Sequence, residues 1–537
     1  MPSLSETRLR WSWEGSIHWF WLFLFIIIVF GPLVALMAEA AQYVLTDGYD
    51  WFALVVPAGR RLGLLVHSLV LAVGVAVSGI VIGMLVGSAL WRWRTGARAY
   101  FRWVPLVFVA LPAYVYALAW SSTVSTLGLV LQSFGLPGIQ LTGWVGGWWV
   151  EVMALMPIGV GLSMLGLESV EIPLIEAARL LDSDLRVFAR VILPLAAPII
   201  AAGVSFLFLL SFADYSVPSL FAVSVYPLEI FAEYSASNQP ARAFLLALSA
   251  LFLMVVVVAV SQSGLRNAAQ APIWQGRTSL LAMRWPAWFV WLQRGAVAVY
   301  MLQIGVISIS LIFTVGAGAN LTSAIVSAAS EIGFTFWVGL TTGLMCLPVA
   351  FAAAKELLRS GARGRTWWFL VTVPLAVPAP LIGIGLISIW NQSFWIGLYG
   401  TAMMPVLATL ARFTPMAALV LLAQLRQIDP LLVDAARVFQ TSSLHAWLRV
   451  RLPLLAPGVL AAAAIVFALS IGELGATLIV APPGQATLTM RIYNYLHYGS
   501  SSVVAGLCLM MVALTLAVGI LAILALASWS RISEEQT

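Results

Sequence analysis

The sequence predicts an all-α polytopic membrane protein, two six-helix bundles related as parallel pseudo-two-fold repeats. Three observations predict this class. The 537 residues are 62% hydrophobic and only 9% charged, whereas a soluble domain carries about a quarter charged residues and needs polar cover on its surface. Twelve windows are apolar for long enough to cross a bilayer, which takes roughly 18–20 residues. The chain also repeats itself at a spacing of half its length.

The predicted spans, in order, are 17–38, 62–90, 103–123, 144–167, 197–220 and 241–263, then 295–315, 332–354, 367–390, 400–423, 456–480 and 502–528. They divide the chain into a first half, 1–263, a linker, 264–294, that carries Arg266, Arg277, Arg284 and Arg294, and a second half, 295–537. Arg8 and Arg10 precede the first span, and ALMAEA near its end mimics a cleavage site. The apolar run Ile17–Ala38 exceeds the roughly 7–15 residues of a signal peptide, so a retained first helix is expected.

Basic residues set the orientation. With the N-terminus inside, 22 of the 27 Lys and Arg fall in inner loops or at inner helix ends; Arg60, Arg61, Arg242, Arg412 and Arg491 fall elsewhere. Positive loops are retained on the cytoplasmic side, so both termini are expected in the cytoplasm. The net charge of +6 therefore reports topology, and nucleic acid is not expected as a partner; membrane lipid is. Cys346 and Cys508 lie inside apolar spans and read as small core residues without a disulfide.

The repeat is residue-specific. Met156-Pro157 matches Thr414-Pro415, Val170-Glu171 matches Ile428-Asp429, and Glu176-Ala177-Ala178-Arg179 matches Asp434-Ala435-Ala436-Arg437, all 258 positions apart. After a one-residue slip, Leu193-Pro194 matches Leu452-Pro453, Ala197-Pro198 matches Ala456-Pro457, and Asp214 matches Glu473. Leu111-Pro112 and Val377-Pro378 are a looser echo. Six spans separate equivalent points, which gives both halves one membrane orientation. Gly79, Gly83 and Gly87 share a helix face, as do Gly339 and Gly343 in the equivalent helix, a spacing that allows close helix packing.

Two polar segments interrupt this hydrocarbon: EAARLLDSDLRVFARVILPLAAP from 176 and DAARVFQTSSLHAWLRVRLPLLAPG from 434. Each opens with a carboxylate, which suits the positive end of a helix dipole. Each then has a polar turn, an aromatic anchor (Phe188 or Trp447) and a proline, Pro194 or Pro453, that suits the start of a new helix. Two matched copies imply a partner that is itself two-fold symmetric.

This plan resembles the EAA loop of importer permeases in the ATP-binding-cassette superfamily, and the duplicated layout resembles the fused twelve-helix permeases for ferric iron and, more distantly, thiamine. The resemblance implies a type I importer fold, an inner-membrane location, and a short helix in each loop that docks on one of two ATPase subunits. It makes Glu176, Ala177, Ala178, Arg179 and Asp182, with Asp434, Ala435, Ala436, Arg437 and Gln440, the ATPase-coupling residues. Asp182 and Gln440 stand where the family has glycine, the second copy opens with Asp, and the first is one residue shorter before its Leu-Pro. A periplasmic or lipid-anchored substrate-binding protein is implied as the further partner.

No phosphate-binding Gly-rich loop accompanies Lys355, the only lysine, and His18, His67, His445 and His497 show no ligand spacing. No catalytic role, metal or cofactor is expected in this chain; ATP and Mg belong to the partner ATPases. Acids within membrane spans are functional candidates. Asp214, beside Tyr215, and Glu473 lie twenty residues beyond their Leu-Pro, about 30 Å along a helix, which predicts an acidic pair near the external end, gating a path for a hard cation or capping helix ends. Glu151 and Arg412 fall in equivalent fourth spans and are candidates for a pair across the pseudo-axis. DYSVPSLFAVSVYPLEIFAEY and ELGATLIVAPPGQATLTMRIY look most like the iron branch of that family. Thiamine, a polyamine or a phosphonate are the alternative cargoes. An ion-driven secondary transporter disagrees with the parallel repeat, and a membrane enzyme lacks a convergent catalytic set.

Overall fold

A computed structural model of the chain describes residues 4–46, 50–91, 111–270, 283–316, 321–392, 397–429, 431–432, 435, 445, 447–498 and 501–535. All regular structure among them is helical. In the first half the helices are α1 (Leu4–Thr46), α2 (Arg60–Trp91), α3 (Ala113–Ser133), α4 (Gly143–Glu168), α5 (Ile172–Arg179), α6 (Leu193–Ala213), α7 (Ser216–Leu220), α8 (Tyr226–Ser237) and α9 (Pro240–Gln270). The second half has α10 (Ala287–Gly316), α11 (Ala329–Leu357), α12 (Gly361–Thr372), α13 (Ala379–Trp390), α14 (Met403–Gln427), α15 (Leu452–Ile471), α16 (Thr477–Val480), α17 (Leu488–Tyr498) and α18 (Ser501–Glu535). Among the described residues eleven helices are long and apolar enough to span a membrane, or twelve if the bent pair Gly361–Ala376 and Ala379–Trp390 is one span.

Four predicted spans differ from the observed helices, the first of them 103–123, where α3 begins at Ala113 and runs on to Ser133. The third span of the second half is bent by 99° at its break, because Val377 and Pro378 are extended (ψ 126° and 133°) and proline cannot continue the preceding turn. Pro112, its echo, is likewise extended (ψ 143°) just before α3. The fifth spans end at Ala213 and Ile471, short of the predicted 220 and 480, since Asp214 turns extended and the chain re-enters as α7 and α16.

Pro194 and Pro453 do not start new helices either. Phe188–Ile192 and Trp447–Arg451 each form a π turn directly before α6 and α15. Leu193 N–H closes the first on Phe188 O. The wider turn re-satisfies the backbone where proline lacks a donor, so the helix runs on through it.

Close packing falls where the small residues predict. A Cβ on Gly83 would stand 2.5 Å from Gly159 C, and one on Gly159 would stand 2.6 Å from Gly79 O. These glycines let the backbones of α2 and α4 touch. In the second half Gly339 meets Phe467 and Gly343 meets Ala463 O on α15. Cys346 and Cys508 are buried free thiols.

The first helix of each half packs on the other half. α1 lies against α11, α13 and α14, with Pro32 O only 2.3 Å from where a Cβ on Gly385 would sit. α10 lies against α2 and α3, where Gln293 donates to Ser88 Oγ at 2.9 Å and Ser310 to Ala119 O at 3.2 Å. This exchange interlocks the halves.

At one face α8 and α17 are tied to the starts of α2 and α11 with the charges exchanged. Arg60 and Arg61 bind Glu229 and Glu233 on α8, whereas Arg491, 258 positions after Glu233, binds Glu331 on α11 at 2.5 Å. These ties fix the segments that follow α7 and α16.

A Gly83→Ala substitution should lower the melting temperature of the detergent-solubilised protein markedly, because overpacking against backbone costs about 1–3 kcal/mol or more. Gly161→Ala, with nothing within 4 Å of the added carbon, should melt like the parent; equal melting of the two variants would contradict the packing described.

Candidate functional site: the central cavity and the loop groove

The start of α3 at Pro112, the bend at Val377–Pro378 and the ends of the two fifth spans converge. They surround a cavity of about 200 Å³ lined from the first half by Pro112, Glu151, Ser211, Asp214 and Tyr215, and from the second by Val377, Arg412, Glu473 and Gly475. All five sequence-predicted path residues are there. The halves touch closely at this level. A Cβ on Gly472 would lie 2.9 Å from Pro112 Cγ, and one on Gly475 would lie 3.5 Å from the Tyr215 ring and 2.6 Å from Ala379 Cβ.

Each carboxylate has a structural task. Asp214 Oδ1 accepts from Ser216 N–H (3.0 Å) and Oγ (2.7 Å), and Oδ2 from Val217 N–H (3.3 Å), so it caps α7. Glu473 Oε1 accepts from Ala476 N–H at 2.7 Å, one residue before α16. A helix broken inside a bilayer must satisfy its freed amides within the protein, and these two side chains do so. Capping and lining are one arrangement.

Glu151 and Arg412 do not pair across the pseudo-axis. Arg412 reaches Glu473 within its own half, and Glu151 accepts from the Ser211 hydroxyl. They sit three positions out of register in equivalent helices, and each meets its own half's fifth helix or the turn that ends it. Their depth also corrects the helix-length estimate. Glu151 and Arg412 lie eight and nine residues into α4 and α14, about 12–14 Å along the axis. The acids beside them therefore lie below that end of the bundle, under α7 and α16.

At the opposite ends of α4 and α6 stands the first polar segment. Glu171 precedes α5 and Pro173 occupies its first turn, which needs no donor there. Arg179 forms a bidentate pair with Asp184 (2.8 and 3.2 Å), and Asp184 also accepts from the backbone of Arg284 in the linker. Phe188 packs edge-on against Trp285 at 5.2 Å. A groove of about 930 Å³ is lined by Pro173, Glu176, Ala177, Arg179, Asp182 and Arg284. Glu176 and Ala177 are exposed and Ala178 half-buried, while Leu180 and Leu181 are 87% and 90% exposed at the tip.

Asp182 makes its turn without left-handed backbone, since the positive-φ non-glycine residues among those described are Ala222 and Asn238. Its amide bonds Ala178 O at 3.2 Å, and its carboxylate takes Ser183 N–H (2.7 Å) and Arg186 (2.8 Å). Of the second segment, Ala435 is exposed. Asp434, Ala436, Arg437, Gln440 and the Trp447 side chain lie outside the described residues.

Sequence reasoning missed Pro112, Ser211, Gly472, Gly475 and the linker's Arg284 and Trp285 as parts of these sites. The Leu111-Pro112 echo and the glycines flanking Glu473 are the signals that point to the first group. The linker contacts leave no pattern in the sequence.

Residues 346–530 match the family described as "Binding-protein-dependent transport system inner membrane component". The molybdenum transport system permease protein ModB of Haemophilus influenzae is 30% identical over 206 residues, 35% of this chain and 88% of its own length. The chain belongs to this family. The same bacterium's Fe(3+)-transport system permease protein FbpB 2 is 25% identical over 452 residues, 81% of this chain and 84% of its own. The spermidine/putrescine transport system permease protein PotC of Escherichia coli K12 is 29% identical over 220 residues, 40% and 77% of the two chains. This protein is thus a fused importer permease of the inner membrane, with ATPase and substrate-binding partners implied by its family. Its relatives are permease subunits of transport systems by their names.

Removing Arg412 from a permease of this geometry leaves Glu473, whose side chain is 3% exposed, without its cation. Arg412→Met should destabilise the protein by about 3–5 kcal/mol, and adding Glu473→Gln should recover part of that loss in a thermal-melting cycle. Additive losses would contradict the pairing.

Proposed function

We propose that the chain is the translocation subunit of a ferric-iron importer, with 1–263 and 295–537 as its two permease halves joined by a cytoplasmic linker, 264–294. In this reading the termini and both polar segments face the cytoplasm, and the cavity lies under the external face. One ATPase subunit docks on α5 around Glu176, Ala177, Ala178, Arg179 and Asp182. A second copy docks on the matching segment, Asp434, Ala435, Ala436, Arg437 and Gln440. A substrate-binding protein delivers cargo to the external side, and ATP with Mg is bound by the ATPases alone.

The observation that carries the cargo assignment is the acid excess where the halves meet. Three carboxylates and one guanidinium line the cavity among the described residues. A unit charge about 4 Å away is worth about 4 kcal/mol at an effective dielectric near 20, so the lining favours a cation and opposes molybdate or a phosphonate. Hard cations prefer oxygen ligands, and the relative that spans both halves transports Fe(3+) by its name. A polyamine is the second reading, since it satisfies the same acid excess.

ATPase closure moves the two loop segments together, and the exchanged helices α1 and α10 carry that movement into the opposite half. The two states differ in which end of the cavity is open, and the partner's differential binding selects between them. Arg179, Asp184 and the Arg284 backbone make α5 a rigid handle, so force on it reaches α6 and, at its far end, Asp214.

Reconstituted with its ATPase and substrate-binding protein, the protein should accumulate iron(III) in an ATP-dependent way in competition with neither molybdate nor 2-aminoethylphosphonate. Glu176→Lys with Asp434→Lys should abolish uptake and ATPase association while membrane insertion persists. Uptake of an anion in preference to iron would overturn the cargo assignment; unchanged uptake in the double variant would overturn the docking assignment.

A further inference from the structure

The two walls of the central cavity differ chemically. On the second-half wall Glu473 is fully engaged, one oxygen by the Ala476 amide and the other by Arg412. On the first-half wall Asp214 is fully engaged as a cap. Glu151 and Tyr215 are not. Glu151 is 2% exposed, and while Oε2 holds the Ser211 hydroxyl, Oε1 has no hydrogen-bond partner. Tyr215 is 4% exposed and its hydroxyl has none either. Both residues line the cavity.

A buried polar atom without a partner costs about 1–3 kcal/mol, so two such atoms on one cavity wall call for an occupant. The repeat shows why they are on this wall alone. Ser211 is matched by Ser470, 259 positions later, and the Ser470 hydroxyl is also without a partner. In the second half the charged side chain of the fourth span is Arg412, which bypasses that serine and neutralises Glu473. The second-half wall is therefore closed to a cation and the first-half wall is open.

We propose that Glu151 Oε1 and the Tyr215 hydroxyl form a one-sided contact site for a cation in transit, and that Arg412 holds the facing wall neutral. The site deepens the cation-importer reading and rests on it. Carboxylate and phenol oxygens are hard donors suited to a hard metal ion. Two donors fall well short of the six or so that a hard cation collects in a holding site, so the ion keeps most of its other ligands and leaves readily. Contact strong enough to enter and weak enough to exit is what conduction requires.

The test uses the complete complex, with its ATPase subunits and binding protein, in proteoliposomes supplied with iron(III) on the binding protein. Glu151→Gln keeps an acceptor for Ser211 but loses the charge, and should cut initial uptake about tenfold or more; Tyr215→Phe should also cut it. Binding-protein-stimulated ATP hydrolysis should persist in both variants, and Ser470→Ala should transport like the parent. Parental uptake by Glu151→Gln and Tyr215→Phe overturns the site, as does loss of ATPase stimulation in both, which marks the pair as structural. If the parent carries putrescine in place of iron and Glu151→Gln blocks putrescine, the site stands and the ferric assignment falls. If the parent carries molybdate and both variants carry it undiminished, the site and the cation reading fall together.

Discussion

A helix broken inside a bilayer frees amides that lipid cannot satisfy, and the centre of this protein is organised by the two carboxylates that take them up. Asp214 caps α7 where α6 ends, and Glu473 caps the turn into α16 where α15 ends. Without those caps the fifth helices have no stable way to stop halfway across the membrane. Because they stop there, the start of α3 at Pro112 and the bend at Val377–Pro378 reach the same level, and with the two helix ends they enclose one cavity. The acids that a broken helix requires are thereby the acids a passing cation meets.

The rest of the architecture bears on how that cavity is opened. The exchanged helices α1 and α10 tie each half to the other, so the halves cannot separate as independent bundles. Glycines at the α2–α4 contact hold backbones together with no side chain between them, which makes that contact stiff. Stiff bundles moving about a weakly filled centre are suited to two discrete states. The loop segment around α5 is braced by Arg179, Asp184 and the linker, and after the turn over 180–183 the chain runs as one helix from Asp184 through a π turn into α6. In the proposed mechanism that continuity is what transmits work from a partner ATPase to the cap at Asp214.

Much of this was legible in the chain. Twelve spans and the parallel repeat follow from hydropathy and from matched residues such as Glu176-Ala177-Ala178-Arg179 and Asp434-Ala435-Ala436-Arg437. Asp214, Tyr215, Glu473, Glu151 and Arg412 were recognisable as polar residues in apolar surroundings, and the fold brings all five to one cavity. Hydropathy measures length and says nothing of direction, so the bend at Val377–Pro378 and the early ends at Ala213 and Ile471 were invisible to it. The partner of Arg412 was hidden because positions three apart share a helix face, so register alone does not say whether a side chain meets its own half or the other. The exchange of α1 and α10 leaves no trace in topology, since either packing uses the same loops.

The central claim is that the segments around Asp214 and Glu473 meet across the cavity and must part for cargo to pass. A cysteine pair replacing Pro112, on the cavity wall with Asp214, and Gly472, next to Glu473, tests it most directly in the assembled transporter, since their Cβ positions lie 3.7 Å apart across the cavity, within disulfide reach. The account predicts that the pair cross-links in the resting complex, that the bond stops transport, and that reduction separates the segments so that ATP hydrolysis proceeds with opening. A cross-linked transporter that moves cargo at the rate of its reduced form, or a pair that never cross-links in a folded protein, would contradict it.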